Sequence, residues 1–117
     1  MREHDFCILL INPPHRSIGS RIPKEQLPPL GLLCVGGPLI DAGFRVNLID
    51  AEFGPMCESE IVERALQVRP HLVMMGHSGS TSAHPFVVRL AARLKAAYHG
   101  IVVAYGGVFP AYHWHYI

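Results

Sequence analysis

The sequence predicts a doubly wound α/β domain with a parallel sheet. Three observations carry that prediction. Four short apolar runs, at 6–11, 45–49, 72–75 and 101–105, have the length and composition of strands. The segments between them space their apolar residues as helices do, so strand and helix alternate along the chain. Half of the 117 residues are hydrophobic and only 16% are charged, which suits a sheet buried on both faces. Crossovers between parallel strands are right-handed, and this length fits one domain over residues 1–117.

The first strand is Phe6 to Ile11, a continuous apolar run stopped by Asn12, Pro13 and Pro14. Residues 12–29 form a long proline-rich loop, a feature that is usually functional or disordered. A helix opens at Leu30 and closes at Asp41-Ala42, with Gly43 as its C-cap. Gly36, Gly37 and Pro38 inside it predict a kink or local break, which serves simple packing. The second strand is Arg45 to Ile49, ended by Asp50. The second helix, Glu58 to Arg69, shows an apolar stripe of Ile61, Val62, Ala65, Leu66 and Val68. Glu58 and Glu60 in its first turn and Arg69 in its last suit the helix dipole. The third strand, Leu72 to Met75, stops at Gly76. A third helix runs from His84 to about Tyr98, with Pro85 in its first turn. The fourth strand, Ile101 to Tyr105, is followed by Gly106 and Gly107. The aromatic tail from Ala111 to Ile117 looks like the start of another helix. A fifth strand is normal for this architecture, so a fragment of a larger protein is expected.

Composition excludes several classes. A formal charge of +1 gives no bulk attraction for nucleic acid or an anionic membrane. No apolar run approaches the length of a membrane span. The polar start, Met1 to Asp5, is no signal peptide, and a cytoplasmic location is expected. Cys7, Cys34 and Cys57 are odd in number and widely spaced, against a disulfide framework or a cysteine-based zinc site. Cys7 and Cys34 are expected to be core thiols. His113 and His115 stand two apart, a poor spacing for metal binding on a helix.

The candidate chemistry lies in the loops after the strands, where open parallel sheets bind ligands. A dinucleotide-binding G-x-G-x-x-G is missing after the first strand, and so is a P-loop. The acidic residues of a phosphoacceptor domain are also missing, with Asn12 and His77 in their places. Ser78, Gly79, Ser80, Thr81 and Ser82 offer hydroxyls and free N–H groups at a helix N-terminus. Capping by Thr81 or Ser82 is the plainer role, but it needs only one such residue. Gly106-Gly107 lets a flat ligand approach the backbone, or makes a tight turn. Asp50 is a ligand hydrogen-bonding residue or a turn residue. His77 stands at the third strand's edge, where it contacts a ligand or relays a proton, or else is a capping or solvent-facing histidine. No residue is assigned a catalytic role.

These loops resemble the cobalamin-binding domain, whose signature is D-x-H-x-x-G, then S-x-L, then G-G, after strands one, three and four. Ser78-Gly79-Ser80 matches the second part with Ser80 in place of Leu, and Gly106-Gly107 matches the third. The resemblance implies a flavodoxin-like (Rossmann-like) fold and a pocket for the cofactor's nucleotide tail beside the serines and the double glycine. The first part is absent: Asn12, Pro13, Pro14 and His15 stand in its place. His15 is a weak candidate for a cobalt ligand, and an exposed loop histidine is the commoner case. Cobalamin is therefore expected to bind base-off without a protein lower ligand.

ILLINPP (8–14), PPLGLL (28–33), DAGFRVNLIDA (41–51), PHLVMMGHSGST (70–81) and YGGVFP (105–110) narrow the resemblance. Together they look like the N-terminal domain of cobalamin-dependent radical SAM enzymes, in particular the cyclase-like group that includes anaerobic magnesium-protoporphyrin monomethyl ester cyclases. Other members are methylases. The resemblance implies a downstream radical SAM domain with a 4Fe-4S cluster and S-adenosylmethionine, to which this domain presents the corrin. The C-x-x-x-C-x-x-C cluster motif is absent from these 117 residues. Cofactor contacts are expected from Asn12, Pro13, His15, Asp50, His77, Ser78 to Thr81, Gly106, Gly107, Val108 and Phe109. The competing readings are a corrinoid methyl carrier, a flavin or nucleotide binder, and a purely structural domain on the same fold.

Overall fold

The computed structural model describes residues 5–14, 29–52, 56–77 and 83–116. In chain order the elements are β1 (Cys7–Asn12), α1 (Leu30–Asp41), β2 (Arg45–Asp50), α2 (Glu58–Val68), β3 (Leu72–His77), α3 (His84–Ala97), β4 (Val102–Gly107) and α4 (Val108–His113). A 3-10 turn, Trp114–Tyr116, follows. The four strands form one sheet in the order β2-β1-β3-β4, and every neighbouring pair is parallel. This is the expected α/β architecture.

Side chains alternate between sheet faces, and the two faces are covered unequally. Leu9, Ile11, Ile49, Val73 and Met75 meet Ile61, Val62 and Ala65 of α2 and Val87, Leu90 and Leu94 of α3 in one buried cluster. On the opposite face α1 lies over β1, with Gly36 against Leu10. β1 is central and buried at all six positions, which explains its unbroken apolar run. The outer strands are not buried on both faces as composition suggested: Leu48 of β2 is 40% exposed and Val102 of β4 is 58% exposed.

Several boundaries depart from expectation for physical reasons. Of the expected kink or local break in α1, the break does not occur: the helix is continuous through Gly36, Gly37 and Pro38. Gly36 is there for contact, since a Cβ on it would stand 2.9 Å from Leu10 Cδ1. Pro38 forfeits its own N–H bond, but its carbonyl still accepts from Ala42 N–H at 3.0 Å. Cys34 is exposed on α1 rather than in the core, whereas Cys7 is buried as expected. Arg69 caps α2 in the left-handed region, with φ 53°, instead of extending it. β3 and β4 each run two residues beyond their predicted ends. Gly76 pairs with Gly106 and His77 with Gly107, so mutual pairing overrides the weak strand preference of glycine.

At the amino edge of the sheet, Cys7 N–H donates to His71 Nδ1 at 3.0 Å. His71 N–H donates back to the Cys7 carbonyl at 2.8 Å, and Phe6 stacks on the imidazole with centroids 5.0 Å apart. This clip fixes the start of β1 against β3. At the other edge the chain leaves β1 for β2, then recrosses to β3. That reversal puts the topological switch point at the carboxyl ends of β1 and β3, the position where such sheets take ligands.

Candidate functional site

Register brings the strand ends together at this carboxyl edge. Asn12 lies opposite Asp50, Gly76 opposite Gly106, and His77 opposite Gly107. Asn12 is only 4% exposed and is the buried polar residue among those described. Its Nδ2 donates to Asp50 Oδ1 at 2.9 Å, and Ala51 N–H donates to its carbonyl at 2.9 Å. A buried amide is costly without partners, so this bond both satisfies Asn12 and orients the half-buried Asp50 carboxylate. Pro13 is fully buried after Asn12 and ends β1 by packing.

The three glycines of this edge differ in what requires them. Gly107 adopts φ 117° and ψ −172°, a conformation essentially confined to glycine, where β4 turns into α4. Gly76 is tight, since a Cβ would stand 3.3 Å from the Gly106 carbonyl oxygen and 3.8 Å from Leu32 Cδ2. Gly106 is neither strained nor crowded. Its φ is not positive, and a Cβ on it would meet no described atom within 4 Å. The tight-turn explanation therefore accounts for Gly107, and nothing in the described fold demands glycine at 106.

Beside Gly106 lies a groove of about 430 Å³, walled by Val103, Tyr105, Gly107, Pro110, Ala111 and Trp114. Tyr105 Oη and His84 Nδ1 share a hydrogen bond of 3.2 Å, with the rings stacked at 5.7 Å and 18°. Burial desolvates the Tyr105 phenol and raises its pKa above the ordinary 10. Trp114 on the outer wall is 73% exposed. The sequence expectations did not include the His84–Tyr105 pair. The two residues lie 21 apart, and only the α3–β4 packing joins them.

Of the expected contact residues, Asn12, Pro13, Asp50, His77, Gly106 and Gly107 share the carboxyl edge of the sheet. Val108 and Phe109 form the first turn of α4 directly after β4. His15, Ser78, Gly79, Ser80 and Thr81 lie outside the described residues. The cap of α3 is Ala83, which has no side-chain capping bond. Among the described residues, no cluster of three His, Cys, Asp or Glu can hold a metal ion. No helix among them is long and apolar enough to cross a membrane.

A parallel sheet in the order β2-β1-β3-β4, with its switch point between β1 and β3, defines a flavodoxin-like domain. Residues 21–117 match the family described as the B12 binding domain, and the chain belongs to that family. It is also 63% identical over 108 residues to the "Anaerobic magnesium-protoporphyrin IX monomethyl ester cyclase" of Synechocystis sp. (strain ATCC 27184 / PCC 6803 / Kazusa). That alignment covers 92% of this chain and 22% of the relative. No solved structure matches the chain.

Proposed function

We propose that this domain binds cobalamin base-off and presents the corrin to a radical SAM iron–sulfur domain, in a cytoplasmic enzyme of the magnesium-protoporphyrin IX monomethyl ester cyclase type. Gly106 is the observation that supports it. A glycine with ordinary backbone and no described atom within 4 Å of a Cβ position is unexplained by the described fold and well explained by close approach of a ligand. The groove beside it suits part of a large flat cofactor. Asn12 ends β1 where a metal-binding motif of the family would begin, and its side chain is engaged with Asp50.

When bound, cobalamin supplies cobalt-centred one-carbon or radical chemistry, and the 4Fe-4S cluster with S-adenosylmethionine belongs to the partner domain. This chain's own residues bind and orient. Gly106 and Gly107 let the ligand reach the backbone. In this reading Ser78, Gly79, Ser80 and Thr81 supply polar contacts to the tail, and Asn12, Asp50, His77, Val108 and Phe109 contact the cofactor from the carboxyl edge of the sheet. Titration with hydroxocobalamin, followed by visible absorbance, tests this. A base-off spectrum that is lost in Gly106→Val supports the proposal. Absence of a spectral change, or a histidine-ligated spectrum abolished by His15→Ala, overturns it.

A further inference from the structure

The bond between Asn12 and Asp50 does more than the strand edge requires. β1 and β2 are already joined at their ends by Ala51 N–H donating to the Asn12 carbonyl at 2.9 Å. A leucine or valine at position 12 would continue the apolar run of β1 without a buried amide to satisfy. Instead the chain buries an asparagine to 4% exposure and uses its Nδ2 to hold Asp50 Oδ1 at 2.9 Å. The consequence is a carboxylate fixed in orientation at the ligand edge of the sheet. A carboxylate only accepts hydrogen bonds, with about four lone-pair sites on its two oxygens. Asn12 occupies one of them, and no other partner of Asp50 is present among the described residues.

The partner of such a group is a hydrogen-bond donor. We infer that Asp50, positioned by Asn12, is a carboxamide-reading subsite that accepts a hydrogen bond from a primary amide on the rim of the corrin. This inference rests on the cobalamin reading above and adds a selectivity to it. Cobalamin carries neutral primary carboxamides around its rim, each with two N–H donors, besides the secondary amide that leads to its nucleotide tail. A corrinoid whose amide is hydrolysed to the acid would place one carboxylate against another. Discrimination against the acid is strong, because it replaces a charge-assisted bond with like-charge repulsion.

The test uses hydroxocobalamin and its single-amide-to-acid derivatives, the monocarboxylic acids of the corrin rim. Affinities of the native chain and of Asp50→Asn are measured by titration, with a thermal melt of each protein. The substitution keeps an oxygen for the Asn12 bond and turns an N–H₂ toward the ligand. The native chain is expected to bind one derivative about ten- to hundred-fold more weakly than hydroxocobalamin. Asp50→Asn is expected to weaken hydroxocobalamin and to restore that same derivative, an exchange of preference that a purely structural role would not produce. If the native chain binds every derivative as tightly as hydroxocobalamin, the inference is overturned whatever the variant does. A variant that loses all ligands equally also overturns it, leaving Asp50 as a structural residue. If the native chain binds no hydroxocobalamin, the cobalamin reading itself fails, a result distinct from the other two.

Discussion

Substituting the three edge glycines one at a time separates folding from binding. Glycine in a strand costs roughly 0.5–1 kcal/mol relative to alanine, because it loses more backbone freedom on folding. Gly106→Ala meets no described atom within 4 Å and no positive φ, so it should recover that amount. For a domain of this size, 1 kcal/mol moves the melting temperature by roughly 4 °C. Gly76→Ala gains the same entropy but forces a contact of 3.3 Å with the Gly106 carbonyl, a backbone atom with little room to yield. The two terms are similar in size, and a change within about 1 kcal/mol is expected. Gly107→Ala enters a conformation closed to L-residues and should cost roughly 1–3 kcal/mol. The expected order of melting temperatures is therefore Gly106→Ala, then Gly76→Ala, then Gly107→Ala. Gly106→Val should melt no lower than the native chain, since valine favours strands, yet bind hydroxocobalamin at least about ten-fold more weakly. A Gly106→Val protein that binds like the native chain would refute a ligand-facing role for Gly106. So would a loss of stability that matched the loss of binding.

Three further outcomes follow from the packing. On α1, Gly37→Ala meets no described atom within 4 Å and should stabilise by about 0.5–1 kcal/mol, whereas Gly36→Val drives its branch into Leu10 and should cost about 1–3 kcal/mol, both read by urea denaturation. His71→Ala strands the Cys7 N–H and should cost about 1–3 kcal/mol, and nitrogen NMR of the native chain should show His71 protonated at Nε2, because Nδ1 accepts. For Tyr105 the folded pKa lies above the unfolded value, so the folded chain binds more protons as the phenol titrates. Its contribution is fully present below about pH 10 and is lost as pH rises through the folded pKa. Melts across that alkaline range should fall less steeply in Tyr105→Phe, and equal slopes would contradict the desolvated phenol.

Much of the scaffold was legible because it rests on local patterns. The apolar run of β1, the stripe of α2, Pro70 after α2 and Gly43 after α1 each mark their element without help from the rest of the chain. What escaped was decided across the chain. Gly76, His77, Gly106 and Gly107 look like loop residues one at a time and become strand only through pairing with one another. Gly36 and Pro38 suggest a broken helix until Leu10 beneath them supplies the reason for the glycine. Cys34 sits in an apolar helical segment, but on α1 it faces away from the core and is exposed. The site divides in the same way. Gly106, Gly107, Asp50 and Asn12 were identifiable by their position after strands. The Asn12–Asp50 bond needs a register, and the His84–Tyr105 pair needs the docking of α3 on β4.

The central claim is that the carboxyl edge of this sheet receives cobalamin without a protein ligand below the cobalt. The most direct test is the visible spectrum of hydroxocobalamin titrated with the native chain, with Gly106→Val and His15→Ala in parallel. The expected result is a saturable base-off shift that survives His15→Ala and is lost in Gly106→Val. An unchanged spectrum at high micromolar protein, or a histidine-ligated spectrum that disappears in His15→Ala, would contradict the account.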